Sequence, residues 1–160
     1  MRTRLLLWVP LSGVSVVIAA AIQFQPLNVK TGLWQMTQTM TWNSVPPQMA
    51  PILRGMPPSR SYPSCVTAQD LSTNPFANGS GDNCTWTVLN STSTDMEVQG
   101  TGCQIGKEYG LTAQIHGQIH VADPQDGTGT MTMTLSGNGL TATGQASYTG
   151  KWVSATCPNP

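Results

Sequence analysis

Charge is the scarcest property of this chain. Lysine, arginine, aspartate and glutamate together make up 9% of its 160 residues. No basic run exists to neutralise a phosphate backbone, which argues against nucleic-acid binding. No acidic tail or polybasic stretch is present either. Imidazole is rarer still, with His116 and His120 as the two histidines. A catalytic nucleophile needs a base within hydrogen-bond reach, and a carboxylate pair needs two converging acids. The acids Asp70, Asp82, Asp95, Glu97, Glu108, Asp123 and Asp126 fall mostly in turns or at strand ends. No glycine-rich phosphate loop follows a strand and opens a helix. A non-enzymatic protein without a cofactor is the expectation.

The first twenty-two residues are the most informative of those present. Arg2 and Arg4 precede an apolar run from Leu5, and a second run from Val14 to Ile22 contains Ala19-Ala20-Ala21. A basic start, an apolar middle and small residues before a cleavage point make a secretory signal over 1–22, cut after Ala21. The alternative is a retained anchor. Against it, Pro10, Ser12, Gly13 and Ser15 interrupt the run. Leu5 to Ile22 is also at the short end for crossing roughly 30 Å of hydrocarbon. A periplasmic or secreted protein is expected, touching membrane only through this segment. Beyond it stand Lys30, Arg54, Arg60, Lys107 and Lys151 against five aspartates and two glutamates, a net charge of −2.

Cys65, Cys84, Cys103 and Cys157 are an even number in an exported chain, which argues for two disulfides. A zinc site is disfavoured, because no CxxC pair exists and neither histidine is near a cysteine. Four cysteines allow three pairings.

Polarity comes from twenty-one threonines and from serine, glutamine, asparagine and glycine. Threonine favours pleated strands, and serine, asparagine and glycine favour turns. From Gly32 to Trp42, Trp34, Met36, Met40 and Trp42 share one face, with Gln38 the exception, as in a half-buried strand. A loop at 43–64 follows, carrying six prolines that fix φ and remove donors, so no ladder is expected there. Its Met49, Ile52, Leu53, Met56 and Tyr62 make it apolar, either a lid over the sheet or a docking surface. Burial at about 25 cal/mol per Å² favours the lid.

Thr67 stands three residues before Asp70, the pattern of a capped helical turn through Leu71 that Asn74-Pro75 would end. Asn78 to Asp82 is a turn cluster. Cys84 to Asn90 and Asp95 to Cys103 read as a hairpin. A turn centred between Ser93 and Thr94 sets Cys84 opposite Cys103, close to disulfide reach. That favours Cys84–Cys103 and leaves Cys65–Cys157.

Leu111, Ala113, Ile115, Gly117, Ile119 and Val121 alternate with polar residues, and Met131, Met133 and Leu135 alternate with threonines. Asp123 to Gly127 is a turn, its glycine suited to positive φ. Asn138-Gly139 predicts a tight hairpin with Leu135 opposite Ala142, Met133 opposite Gly144 and Met131 opposite Ala146. Tyr148 continues that face, and Lys151-Trp152-Val153 reads as the start of a terminal strand. The fold class is all-β: an antiparallel meander of six or seven strands, curled as a sheet or open barrel, in one domain over 29–157.

Two ligand chemistries follow from these strands. His120 with Met131 and Met133 suits Cu(I) only if they share a face. A three-residue loop at Gln125-Asp126-Gly127 sets Ile119 opposite Met133 and separates them, whereas a two-residue loop at Asp126-Gly127 joins them. The first matches apolar with apolar, so no metal site is favoured. Trp34, Met36, Met40, Trp42, Met131 and Met133 instead form an apolar face suited to a hydrophobic small molecule or lipid beneath the loop. An envelope protein docked on that loop is the alternative partner.

Gly32-Leu33-Trp34, Cys65-Val66-Thr67 with Asp70, Cys84, Cys103, the strand Gly129-Thr130-Met131-Thr132-Met133 and Gly150-Lys151-Trp152 with Cys157 occur in a distinctive order. In this order they resemble the exported bacterial domain of unknown function family numbered 3617, from about Val29 to the C-terminus. The resemblance implies a Gram-negative periplasmic setting and a β architecture. It implies no activity.

Overall fold

The strand-forming threonines and alternating apolar residues build one open antiparallel sheet. The computed structural model describes residues 24–72, 84–105 and 109–157. The expected signal segment, the Asn74-Pro75 stop and the Asn78 to Asp82 turn lie outside the described residues. The strands are β1 (Gly32–Ser44), β2 (Ser59–Val66), β3 (Thr85–Ser91), β4 (Asp95–Ile105), β5 (Leu111–Asp123), β6 (Asp126–Gly137) and β7 (Leu140–Ser154). Their order is β2-β1-β7-β6-β5-β4-β3. Strands β3 to β7 therefore follow one another as a meander, and β1 closes onto the last of them. Lys151 to Val153 continue β7 and do not begin a separate strand.

The 43–64 segment departs from expectation. It holds a short helix, α1 (Ala50–Arg54), and most of β2. Pro51 stands in the first turn of α1, where a missing N–H costs nothing. Pro63 is opposite Gln35 on β2, an edge strand with one unpaired side that tolerates a lost donor. Counting prolines was misleading because their positions suit a helix start and a sheet edge. The second helix, α2 (Ala68–Ser72), forms where the capping pattern placed it. The Thr67 backbone N–H donates to Asp70 Oδ2 at 2.8 Å, and the Asp70 N–H donates to Thr67 Oγ1 at 3.2 Å.

The β6–β7 register has Leu135 opposite Ala142, Met133 opposite Gly144 and Met131 opposite Ala146. Asn138 and Gly139 both have positive φ, 52° and 74°, as the two-residue hairpin turn requires. The β5–β6 register differs from expectation. Ile119 is opposite Gly129 and His120 opposite Thr128, while Met133 faces Ile115. The chain turns at Pro124-Gln125, and Gly127 lies inside β6 without positive φ. The slip is four residues. Being even, it leaves every side chain on its expected face.

Large side chains lie across glycines on neighbouring strands. Trp86 faces Gly100, Trp42 faces Gly144 and Met36 faces Gly150. A Cβ on these glycines would come within 2.9 Å of Trp86, 2.7 Å of Trp42 and 2.8 Å of Met36 Sδ. Omitting it lets the rings and thioether lie flat on the inner face. At one end of that face Met49, the N-cap of α1, and Leu53 within it, 2% and 4% exposed, insert against Cys103, Leu111, Ala113, Leu135 and Ala142. Trp42, Ile52, Met56, Ile115 and Met133 pack around this cluster. The loop is thus a plug, with its apolar side chains turned inward.

Two disulfides tie the ends. Cys65 joins Cys157, and Cys84 joins Cys103. The β3–β4 ladder runs Ser91 opposite Met96, then shifts between Val88 and Asn90, so that Thr85 faces Thr101. A further irregularity between Gly100 and Cys103, where Gly102 has φ 66°, brings Cys103 back toward Cys84 at a Cα separation of 4.1 Å.

Candidate functional site

Among the described residues, none plugs the other end of the inner face. There the sheet encloses a cleft of about 290 Å³, lined by Trp34 and Met36 of β1, Tyr62 and Val66 of β2, Ile119 of β5, Met131 of β6 and Tyr148 of β7. Its floor is glycine: Gly127, Gly129 and Gly150. A Cβ at Gly127 would meet nothing closer than the His120 carbonyl oxygen at 3.8 Å, so the space above it is open. The walls are held. The Trp34 indole N–H donates to the Lys30 carbonyl at 2.9 Å, leaving the ring face to the cleft side of a residue only 4% exposed.

One polar row crosses this apolar surface. Arg60, Gln38, Tyr148 and Gly129 stand directly opposite one another on β2, β1, β7 and β6. Gln38, only 6% exposed, accepts a 2.6 Å hydrogen bond at Oε1 from Arg60 Nε. The Arg60 guanidinium sits over the Tyr62 ring, 5.1 Å from its centroid. Burial pushes the Tyr148 hydroxyl above its ordinary value of 10.0; Tyr62 adds to this and Arg60 opposes it. Tyr148 therefore keeps its proton at neutral pH and remains a donor.

Of the six residues expected to form an apolar face, Trp34, Met36 and Met131 line the cleft, while Trp42 and Met133 belong to the plugged core. Met40 lies on the same face, opposite Ala146. A loop over 43–64 conceals Tyr62 and leaves Val66 without a strand, although Arg60, Tyr62, Ser64 and Val66 alternate as a strand does.

His120 points away from Met131 and Met133, because its β6 neighbour is Thr128 while Met131 faces Gly117. The His–Met copper arrangement is therefore not assembled. On the outer face His120 Nδ1 is 2.7 Å from Asp95 Oδ1 and His116 Nε2 is 2.7 Å from Glu97 Oε1. Asp95 is held below its ordinary carboxyl value by the Thr94 hydroxyl first and His120 second. A polar hollow of about 390 Å³ lies beside these pairs, lined by Asp95, Glu97, Gln118, His120 and Thr130 among others. Among the described residues, no three His, Cys, Asp or Glu side chains converge as metal ligands. No helix among them is long and apolar enough to cross a membrane.

The family described as "Protein of unknown function (DUF3617)" matches residues 29–157. The chain belongs to this family. The match begins just before β1 and ends at Cys157, so it spans both cleft walls and both disulfides of this DUF3617 member. No curated protein and no solved structure matches the chain.

Proposed function

We propose that this DUF3617 protein is a non-catalytic, exported binding domain that holds a hydrophobic small molecule or lipid in the cleft between Trp34, Met36, Tyr62, Ile119, Met131 and Tyr148. The glycine floor carries the reading. Close packing is the norm in protein interiors, and here Gly127 leaves open a space beside Gly129 and Gly150 that an ordinary side chain would fill. The two disulfides are compatible with an oxidising location, and with the N-terminal segment they support a periplasmic or secreted site of action. Both histidines are paired with carboxylates on the outer face, away from the cleft, which supports binding over catalysis. The inward packing of Met49 and Leu53 takes away the apolar surface that docking through the loop would need.

The test is native mass spectrometry of protein isolated without detergent, beside the same sample denatured. The expected result is a non-covalent adduct of lipid-like mass that is absent from Gly127→Leu, whose side chain would fill the cleft from an unstrained backbone. A wild-type chain that carries no adduct and gives no fluorescence with N-phenyl-1-naphthylamine would end the reading.

A further inference from the structure

We infer that the cleft takes a single-chain amphiphile with an anionic head, its chain along Trp34, Met36, Ile119 and Met131 and its head at Arg60. This rests on the binding reading above and adds the chemistry of the ligand. Arg60 adjoins two cleft-lining tyrosines, Tyr62 beneath its guanidinium and Tyr148, on whose hydroxyl its charge acts against the upward push of burial. Its Nε is committed to Gln38, which orients the planar group and leaves the two Nη nitrogens as a fork for a carboxylate or phosphate. No carboxylate among the described residues lies within salt-bridge distance of Arg60, whereas Lys151 is bound to Asp126 at 3.2 Å. A cation at the rim of an apolar cleft, fixed in direction and lacking an internal anion, complements an anionic head. Tyr148, protonated at neutral pH, stands beside it as a further donor.

The volume sets the apolar part. About 290 Å³ is near the lower limit of ligand clefts, roughly 300–1,000 Å³, and suits one alkyl chain and not the two of a phospholipid. Lys30 is the other cation near the cleft, but its ammonium lies over Trp152, 4.6 Å from the ring centroid, at the far end from Arg60. The head is therefore placed at Arg60.

Isothermal titration of the purified protein with dodecanoate, dodecyl phosphate, dodecanol and dodecyltrimethylammonium, each below its micelle concentration, tests this. Both anions should bind about ten-fold tighter than dodecanol, and the ammonium more weakly still, as one charge-assisted contact predicts. The stronger anion identifies the head as carboxylate or phosphate. Arg60→Gln should erase that preference while leaving dodecanol affinity within about two-fold, which also shows that the variant is folded. Lys30→Gln should change nothing, and Gly127→Leu should weaken all four. Equal affinity for dodecanol and both anions, unaltered by Arg60→Gln, overturns the anionic head but leaves the cleft. Loss of the preference in Lys30→Gln in place of Arg60→Gln overturns its location. Failure of every chain to bind refutes the cleft itself.

Discussion

Thr67 and Asp70 illustrate how much local structure here depends on pairs of small polar groups. The Thr67 hydroxyl, and after it the Thr67 backbone N–H, hold the Asp70 carboxyl below its ordinary 3.8. A carboxyl whose pKa falls on folding stabilises the native state above the unfolded value. That contribution disappears as pH drops through the lower folded value. Urea unfolding at stepped pH should therefore show a gap between wild type and Asp70→Asn that is full at neutral pH and closes below about pH 3.8. Thr67→Ala, which removes the cap itself, should cost about 0.5–1 kcal/mol at neutral pH in the same experiment. Gln38 was legible only as an interruption of the apolar alternation of β1. Its reason is visible once β2 is in place, because the buried amide is where Arg60 is anchored.

At the scale of elements, what was legible depended on the turn. Asn138-Gly139 admits one two-residue hairpin, so the β6–β7 register was readable pair by pair. Between β5 and β6, matching apolar residues across the pair favours a three-residue loop at Gln125-Asp126-Gly127, but the same match is kept when the chain turns at Pro124-Gln125, as it does. The facing of Met131 survived because the error was even. β2 was not legible, since its prolines look like loop until its place at the sheet edge is known. With it went Tyr62, Val66 and the polar row of the cleft. The plug makes a sharper statement about energy. Leu53 is 4% exposed against the buried cluster, so Leu53→Ala should destabilise by about 2–4 kcal/mol in chemical denaturation. An α1 that served only as a docking segment would show almost no change.

For the whole molecule, the two disulfides do unequal work. Cys84–Cys103 spans 19 residues within neighbouring strands, while Cys65–Cys157 spans 92 and joins β2 to the end of β7. By loop-closure entropy the longer link restricts the unfolded chain more, at about 4–5 kcal/mol against about 3. Replacing Cys65 and Cys157 together by serine should therefore lower stability more than the same change at Cys84 and Cys103, in parallel urea curves. The intact oxidised protein should weigh about four daltons less than the all-thiol chain. The adjacency of β1 and β7 has a consequence for the order of events in the protein's life. A polypeptide is made from its N-terminus, so β1 emerges early and its sheet neighbour emerges last. Until Leu140 to Ser154 arrive, the strand bearing Trp34 and Met36 has only the edge strand β2 to pair with, and the glycine and tyrosine opposite it do not yet exist. The cysteines are nested in the same way. Joining them in order of appearance would couple Cys65 to Cys84 and Cys103 to Cys157, both wrong. The receptacle is therefore a late product of synthesis, and a message truncated before β7 encodes no smaller version of it.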